Sequence, residues 1–264
     1  IDSAFDYVIY EKGGSVLRMT EHFLTTDKWK NGLKRYLEAN QYKTGNPSSL
    51  FDHLNNASQG ILPDGVSVND ILNTWTTQPG YPVIQVNTSS SPLTLNQQPF
   101  ALDAKHANLS WYVPLTYTTA KQLDFNNTLP SYWLKPGDTN LQINESTNSS
   151  WVIFNIQQTG FYRVNYDVGN WRKLISQLNT SHTDINLINR AQILDDAFKL
   201  ARFGYLDYSI AFALSQYLSK EVDYLPWLSA ASNLNYLTTH LYGTNLGNSL
   251  KAYARELLTD NFIA

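Results

Sequence analysis

The sequence predicts a mixed α and β, multidomain chain: a helical part, a small β-sandwich, then a second helical part. Three observations predict it. Apolar residues recur every three and four positions as far as Gln78. From Pro82 to Tyr166 they alternate with polar ones in short runs broken by Asn, Ser, Pro and Gly. Helical spacing returns after Gly169-Asn170-Trp171. These changes of period set expected boundaries at 1–79, 80–167 and 168–264.

Val16, Met19 and Phe23 place an apolar face on a first helix that starts near Lys12. Gly13 and Gly14 are poor helix formers, so their expected use is close approach by a substrate or strand. Asp27 is placed to cap a second helix carrying Trp29, Leu33, Tyr36 and Leu37. Ser67 precedes a helix with Val68, Ile71, Leu72 and Trp75 on one face. Pro79-Gly80 ends it.

Three strand patterns follow. Ile84 and Val86 alternate with Gln85 and Asn87. Trp111, Val113, Leu115 and Tyr117 share one face of a second strand. Val152, Phe154 and Ile156 line a third, which Thr159-Gly160 turns into Phe161–Tyr166. Such short, loop-separated strands suit a small sandwich. Beyond it, Leu187, Ala191, Leu194, Phe198 and Ala201 mark one helix, and Ile210, Leu214 and Tyr217 the next. Pro226 suits a first helical position. Trp227 to Leu241 and Leu246 to Leu257 continue the spacing. The short connections imply antiparallel pairs, as in the start of an α-solenoid.

Composition excludes several function classes. The net charge of -3 and absence of a basic cluster argue against nucleic acid and anionic membranes as partners. With no cysteine there is neither a disulfide framework nor a thiolate metal site. No run approaches the roughly 18 apolar residues of a membrane span, so any membrane attachment lies outside this chain. Ile1 opens without an initiator Met, and Asn261-Phe262-Ile263-Ala264 stops without a cap, so the sequence reads as part of a larger protein.

Asn-x-Ser/Thr acceptor patterns occur at Asn56, Asn87, Asn108, Asn126, Asn144, Asn148 and Asn179. Composition alone would give about four, so position carries more than number. The five from Asn87 to Asn148 fall between strand patterns, and Asn179 reads as a loop. Secretion with glycosylation fits this, as does a cytosolic chain rich in Asn and Ser.

Four blocks, in order along the chain, carry a resemblance. They are Tyr10-Glu11-Lys12-Gly13-Gly14-Ser15, Trp75-Thr76-Thr77-Gln78-Pro79-Gly80-Tyr81-Pro82, Gly160-Phe161-Tyr162-Arg163-Val164-Asn165-Tyr166 with Asn170-Trp171, and Arg190-Ala191-Gln192-Ile193-Leu194-Asp195-Asp196 with Tyr217 to Glu221 and Pro226-Trp227. Together they resemble the zinc aminopeptidases of the aminopeptidase N family (gluzincin metallopeptidases), with a texture similar to the insect gut members. Gly14 departs from the alanine that many relatives carry. The resemblance implies the C-terminal part of a thermolysin-like catalytic domain, the family's β-sandwich, and the start of its helical domain. It implies peptide substrates, zinc in the intact parent, and a cell-surface location with an anchor outside this chain. Insect gut relatives also imply bacterial toxins as partners.

Tyr10 is the one candidate catalytic residue. The resemblance implies that it stabilises the oxyanion formed when zinc-bound water attacks a peptide carbonyl. A phenol, with a reference pKa of about 10, remains a hydrogen-bond donor at neutral pH. Alone, such a tyrosine reads as packing, and Tyr7 keeps that reading. Lys12 opposes the helix dipole in a first turn, which hints at a specific partner. Metal ligands are absent from the pattern: zinc on a helix needs His-Glu-x-x-His, and none of His22, His53, His106, His182 and His240 is so paired. Asp195-Asp196 reads as salt bridges or inter-helix bonds, one residue toward a packing face and one toward solvent. Arg163 suits either a peptide carboxylate or a structural pair with an acid of a neighbouring domain, the second being favoured. Two functions compete: part of a zinc exopeptidase, or an extracellular binding module such as a toxin-docking surface. A sugar-binding sandwich is a third, with no aromatic and amide cluster to single it out.

Overall fold

The computed structural model describes residues 7–101, 103–145 and 150–262. Asn148, the side chain of Tyr7 and both chain ends lie outside the described residues.

Among the described residues four helices come first: α1 (Tyr7–Leu24), α2 (Thr26–Ala39), α3 (Pro47–Ala57) and α4 (Val68–Thr76). Helix α1 begins five residues before the expected Lys12, so Tyr10 lies inside it rather than ahead of it. Gly13 and Gly14 are therefore mid-helix, where each costs about 1 kcal/mol relative to alanine. The expected close approach is not there: a Cβ on either would meet nothing within 4 Å. Asp27 is not a cap. It stands in the first turn of α2, behind Thr25 at the N-cap. Helix α3, which the period alone did not delimit, is set by Asn46, whose side chain accepts from the Ser49 amide. Ser67 does cap α4, and Asp70 returns a bond to the Ser67 amide, which completes a capping box. Met19, Phe23, Leu54, Leu72 and Trp75 are buried together between these helices.

The described residues then form eight strands in three small sheets. A four-stranded sheet has the order β6-β2-β1-β8, from β1 (Pro82–Asn87), β2 (Leu93–Pro99), β6 (Leu141–Ile143) and β8 (Arg163–Tyr166). Strand β1 is antiparallel to β2 and parallel to β8. Strands β3 (Val113–Leu115) and β5 (Tyr132–Leu134) form one pair, and β4 (Tyr117–Thr119) and β7 (Val152–Phe154) another. The expected strand from Trp111 to Tyr117 thus divides at Thr116 between two sheets. The reason is local: buried Thr116 sides with β7, its carbonyl accepting the Asn155 amide one step beyond the Tyr117–Phe154 pair and its hydroxyl accepting the Ile156 amide, while Leu115 just before it pairs with Tyr132 of β5.

The Thr159-Gly160 turn is not a hairpin either. Ile156 leaves β7 for a single 3₁₀ turn, Ile156–Gln158, and β8 pairs with β1 instead. Asn155, Gln157 and Gln158 take positive φ of 65°, 52° and 49°, an unfavourable region for such residues. The Asn155 side chain clamps this segment: its amide donates to the Gly160 and Tyr162 carbonyls, and its oxygen accepts the Gly160 N–H. Gly160 is required by space, since a Cβ there would meet the Tyr162 ring at 2.0 Å.

Five α-helices follow among the described residues: α5 (Val168–Ser181), α6 (Leu187–Arg202), α7 (Tyr208–Ser215), α8 (Tyr224–His240) and α9 (Asn245–Phe262). Asp167 caps α5, and Asn170 exchanges two hydrogen bonds with Val152, as a strand neighbour would. Tyr217 falls in a 3₁₀ turn after α7, and Pro226 is the third residue of α8 rather than its first. Helix α6 is buried on nearly all sides, its polar Asn189, Arg190, Gln192 and Asp196 included.

Candidate functional site

Tyr10 is 62% exposed on the first turns of α1. Residues three, four and seven positions along a helix share a face. For Tyr10 these are Gly13, Gly14 and Leu17. The two neighbours of Tyr10 toward the C-terminal end of that face therefore lack side chains, as the i+3, i+4 spacing in the sequence shows.

Gly13 and Leu17 also line a groove of about 1030 Å³ that runs beside α1. Phe51, Leu72 and Trp75 form much of its apolar wall, and Gln78-Pro79-Gly80 its far edge. The sequence offered Trp75 and the Pro79-Gly80 break only as a junction, so the groove was not anticipated. Lys12 supplies the edge. Its Nζ donates to the Gln78 carbonyl at 2.8 Å and the Gly80 carbonyl at 3.1 Å. Burial lowers its pKa from the ordinary lysine value. Because α1 starts at Tyr7, Lys12 is its sixth residue and not in a first turn, so the expected conflict with the helix dipole falls away; its partner is the backbone just past α4.

Trp75 and Tyr81 flank the same junction. Trp75 is fully buried, donates its Nε1–H to the Tyr112 carbonyl and packs near Trp111 and Phe161. Tyr81 is half-buried, stacked on Phe100 and edge-on to Phe161. The α1–α4 helices and the sheets are thus joined through these rings, each worth a few kcal/mol by burial.

A smaller cavity of about 360 Å³ lies on another face of α1, between Ser15, Arg18 and the Gln158–Arg163 segment. Arg18 donates to the carbonyls of Gln158 at 2.8 Å and Gln157 at 3.2 Å. Arg163 donates at 2.8 Å to both Asp195 and Asp196 on α6. This is the favoured structural pair, made to both members of the acidic doublet. Asp195 is not turned to solvent as expected; its other oxygen accepts from Asn233 on α8. Asp196 is buried, and its second oxygen accepts the Val164 amide. Burial pushes the Asp196 carboxyl up to about 6 against the pull of Arg163, with Asp195 adding to the rise. Burial alone would also raise Asp195, but Arg163 holds it below the ordinary value.

The histidines have local duties. His22 bonds Thr128, His53 the Ser49 carbonyl, His106 Asp103, and His240 the Tyr236 carbonyl, while His182 stands 4.0 Å from Glu221. Among the described residues no group of three or more His, Cys, Asp or Glu is arranged to hold a metal.

Residues 1–75 match the Peptidase family M1 domain, and residues 151–262 match the ERAP1-like C-terminal domain. Aminopeptidase N of Plutella xylostella is 40% identical over 258 residues, covering 94% of this chain and 27% of that protein. Membrane alanyl aminopeptidase of Heliothis virescens is 38% identical over 253 residues, covering 92% and 25%. Aminopeptidase N of Homo sapiens is 36% identical over 271 residues, covering 100% and 27%. The chain belongs to the aminopeptidase N family of M1 peptidases. It spans about a quarter of the length of the curated relatives it matches.

Proposed function

We propose that the protein containing this chain is a zinc-dependent aminopeptidase that removes N-terminal residues from peptides, and that Tyr10 stabilises the tetrahedral oxyanion. One observation supports the assignment of Tyr10: it is largely exposed on α1, one helical turn before Gly13 and two before Leu17, which line the groove beside that helix. When a peptide carbonyl carbon becomes tetrahedral, its oxygen gains negative charge. A phenol O–H presented from a rigid helix can donate to that oxygen without reorganising, which is worth about 3 kcal/mol or more of barrier.

M1 aminopeptidases are zinc enzymes. The described residues do not fit a zinc site, and the chain holds no His-Glu-x-x-His, so on this reading the metal belongs to other parts of the protein. A binding module without catalysis, such as a toxin-docking surface, would have no use for the Tyr10-Glu11-Lys12-Gly13 block. The test is Tyr10→Phe in the full-length enzyme. We expect kcat to fall about a hundredfold or more with little change in KM, because the lost donor acts on the transition state. An unchanged kcat would reduce Tyr10 to a packing residue.

On the same reading, residues 1–79 close the thermolysin-like catalytic domain. Residues 80–167 are the β-sandwich and 168–264 open the helical domain. The acceptor sites for sugars support an extracellular protein held at the cell surface by segments outside this chain. No helix among the described residues is long and apolar enough to cross a membrane.

A further inference from the structure

We propose that Asn87 and Asn144 carry N-linked glycans that together sheathe one end of the four-stranded sheet, the end remote from Tyr10. The inference rests on the extracellular reading above. It goes further by choosing among seven acceptor patterns and giving the glycans a place in the fold.

The register fixes the place. Asn87 ends β1 opposite Thr94 of β2, and Thr94 in turn faces Gln142 of β6. Asn144 lies two residues beyond Gln142, just past the end of β6. Two strand spacings across and two residues along the strand separate them, so the two acceptors sit about 12 Å apart along one rim. The other end of β1 is Pro82, next to Gly80, whose carbonyl holds Lys12. Six extended residues put the rim about 20 Å from that junction. Sugars at Asn87 and Asn144 therefore project away from the groove and from Tyr10.

The local chemistry agrees. Both side chains are exposed. The Asn87 side-chain oxygen accepts from both the amide and the hydroxyl of Ser89, at 2.9 and 2.6 Å. Ser89 is the hydroxyl residue of the same acceptor pattern. This turn occupies the oxygen, points the amide nitrogen outward, and leaves that nitrogen, the atom that bonds to sugar, without a hydrogen-bond acceptor among the described residues.

Asn179 presents the opposite case. It is not in the expected loop but in the last turn of α5. Its amide nitrogen donates to the Ile175 carbonyl at 2.9 Å, and its own carbonyl accepts from Lys220. It is half-buried, and the proposal leaves it bare.

A hydrated rim also has a consequence for the whole protein. A face that carries two glycans cannot be a dry contact with another domain, so this end of the sheet faces solvent.

The test is to express the full chain behind a secretory leader in insect cells and map the secreted, soluble protein by peptide mass spectrometry before and after glycan release. We expect sugar on Asn87 and Asn144 and none on Asn179. Asn87→Gln and Asn144→Gln should each remove the mass of one glycan, and the double variant two. A bare Asn87, a bare Asn144 or a glycosylated Asn179 would overturn the proposal, whatever the other sites carry. The leader sets the compartment, so this result does not depend on where the natural protein resides. The extracellular reading fails separately if protein from its own tissue carries no sugar at any site.

Discussion

Asp196 shows how burial and charge compete at a single residue. Two carboxylates share one guanidinium, and one of them lies almost wholly out of water. The native pKa of Asp196, about 6, exceeds its ordinary 3.8. The folded state then holds the proton more tightly than the unfolded state does. Stability from this group is full below pH 3.8 and is lost as pH rises toward 6. Asp195 has the opposite sign: its stabilisation is present above the ordinary value and is lost as pH falls. Asp196→Asn should therefore flatten the decline in melting temperature between about pH 4 and 6. Thermal unfolding of both proteins across that range checks it. Parallel curves would place the titration elsewhere.

Elements here are joined by side chains that reach backbone carbonyls across long stretches of sequence. Lys12 ties α1 to the segment after α4, and Arg18 ties it to the Asn155–Gly160 turn. A hydrogen bond from a charged donor contributes about 1.5–3 kcal/mol. Lys12→Met keeps most of the apolar stem and removes both bonds at that joint. We expect a loss of roughly 1–3 kcal/mol, read as a lower denaturant midpoint with an unchanged slope. Wild-type stability in this variant would mean that water replaces the ammonium at no cost. The glycines beside Tyr10 belong to the same scale. They weaken α1, and a Cβ on either would meet nothing within 4 Å, so packing among the described residues does not require them.

At the scale of the whole molecule, the buried helix α6 is committed to structure: Arg190 to Glu221 and Asp223, Asp196 to Arg163, Asn189 to the Asn155 carbonyl. No described residues assemble a metal site. The chain by itself is expected to bind no zinc tightly and to cleave no aminoacyl reporter. Elemental analysis after dialysis and a fluorogenic assay check this. Stoichiometric zinc with measurable hydrolysis would place a metal site within the chain.

The sequence by itself determined the alternation of helix, strand and helix, because burial on one face imposes a period that neighbouring residues cannot hide. It also determined the Ser67 cap, whose partners lie within four residues, and it marked the Tyr10 block. Only the tertiary structure decided what those features meet. The run from Trp111 to Tyr117 is apolar on one face throughout, yet Thr116 hands its two halves to different sheets, since strand partners are chosen over distances that local pattern does not encode. Arg163 could have faced a ligand; packing of β8 against α6 gave it two aspartates instead. Asn179 read as a loop because short polar runs look alike, and a helix end hydrogen-bonded to Ile175 settled the matter. The groove beside α1 is the clearest case. Its walls come from all four of the first helices and the segment after α4, and a cavity is a property of surfaces brought together, which no single stretch of sequence carries.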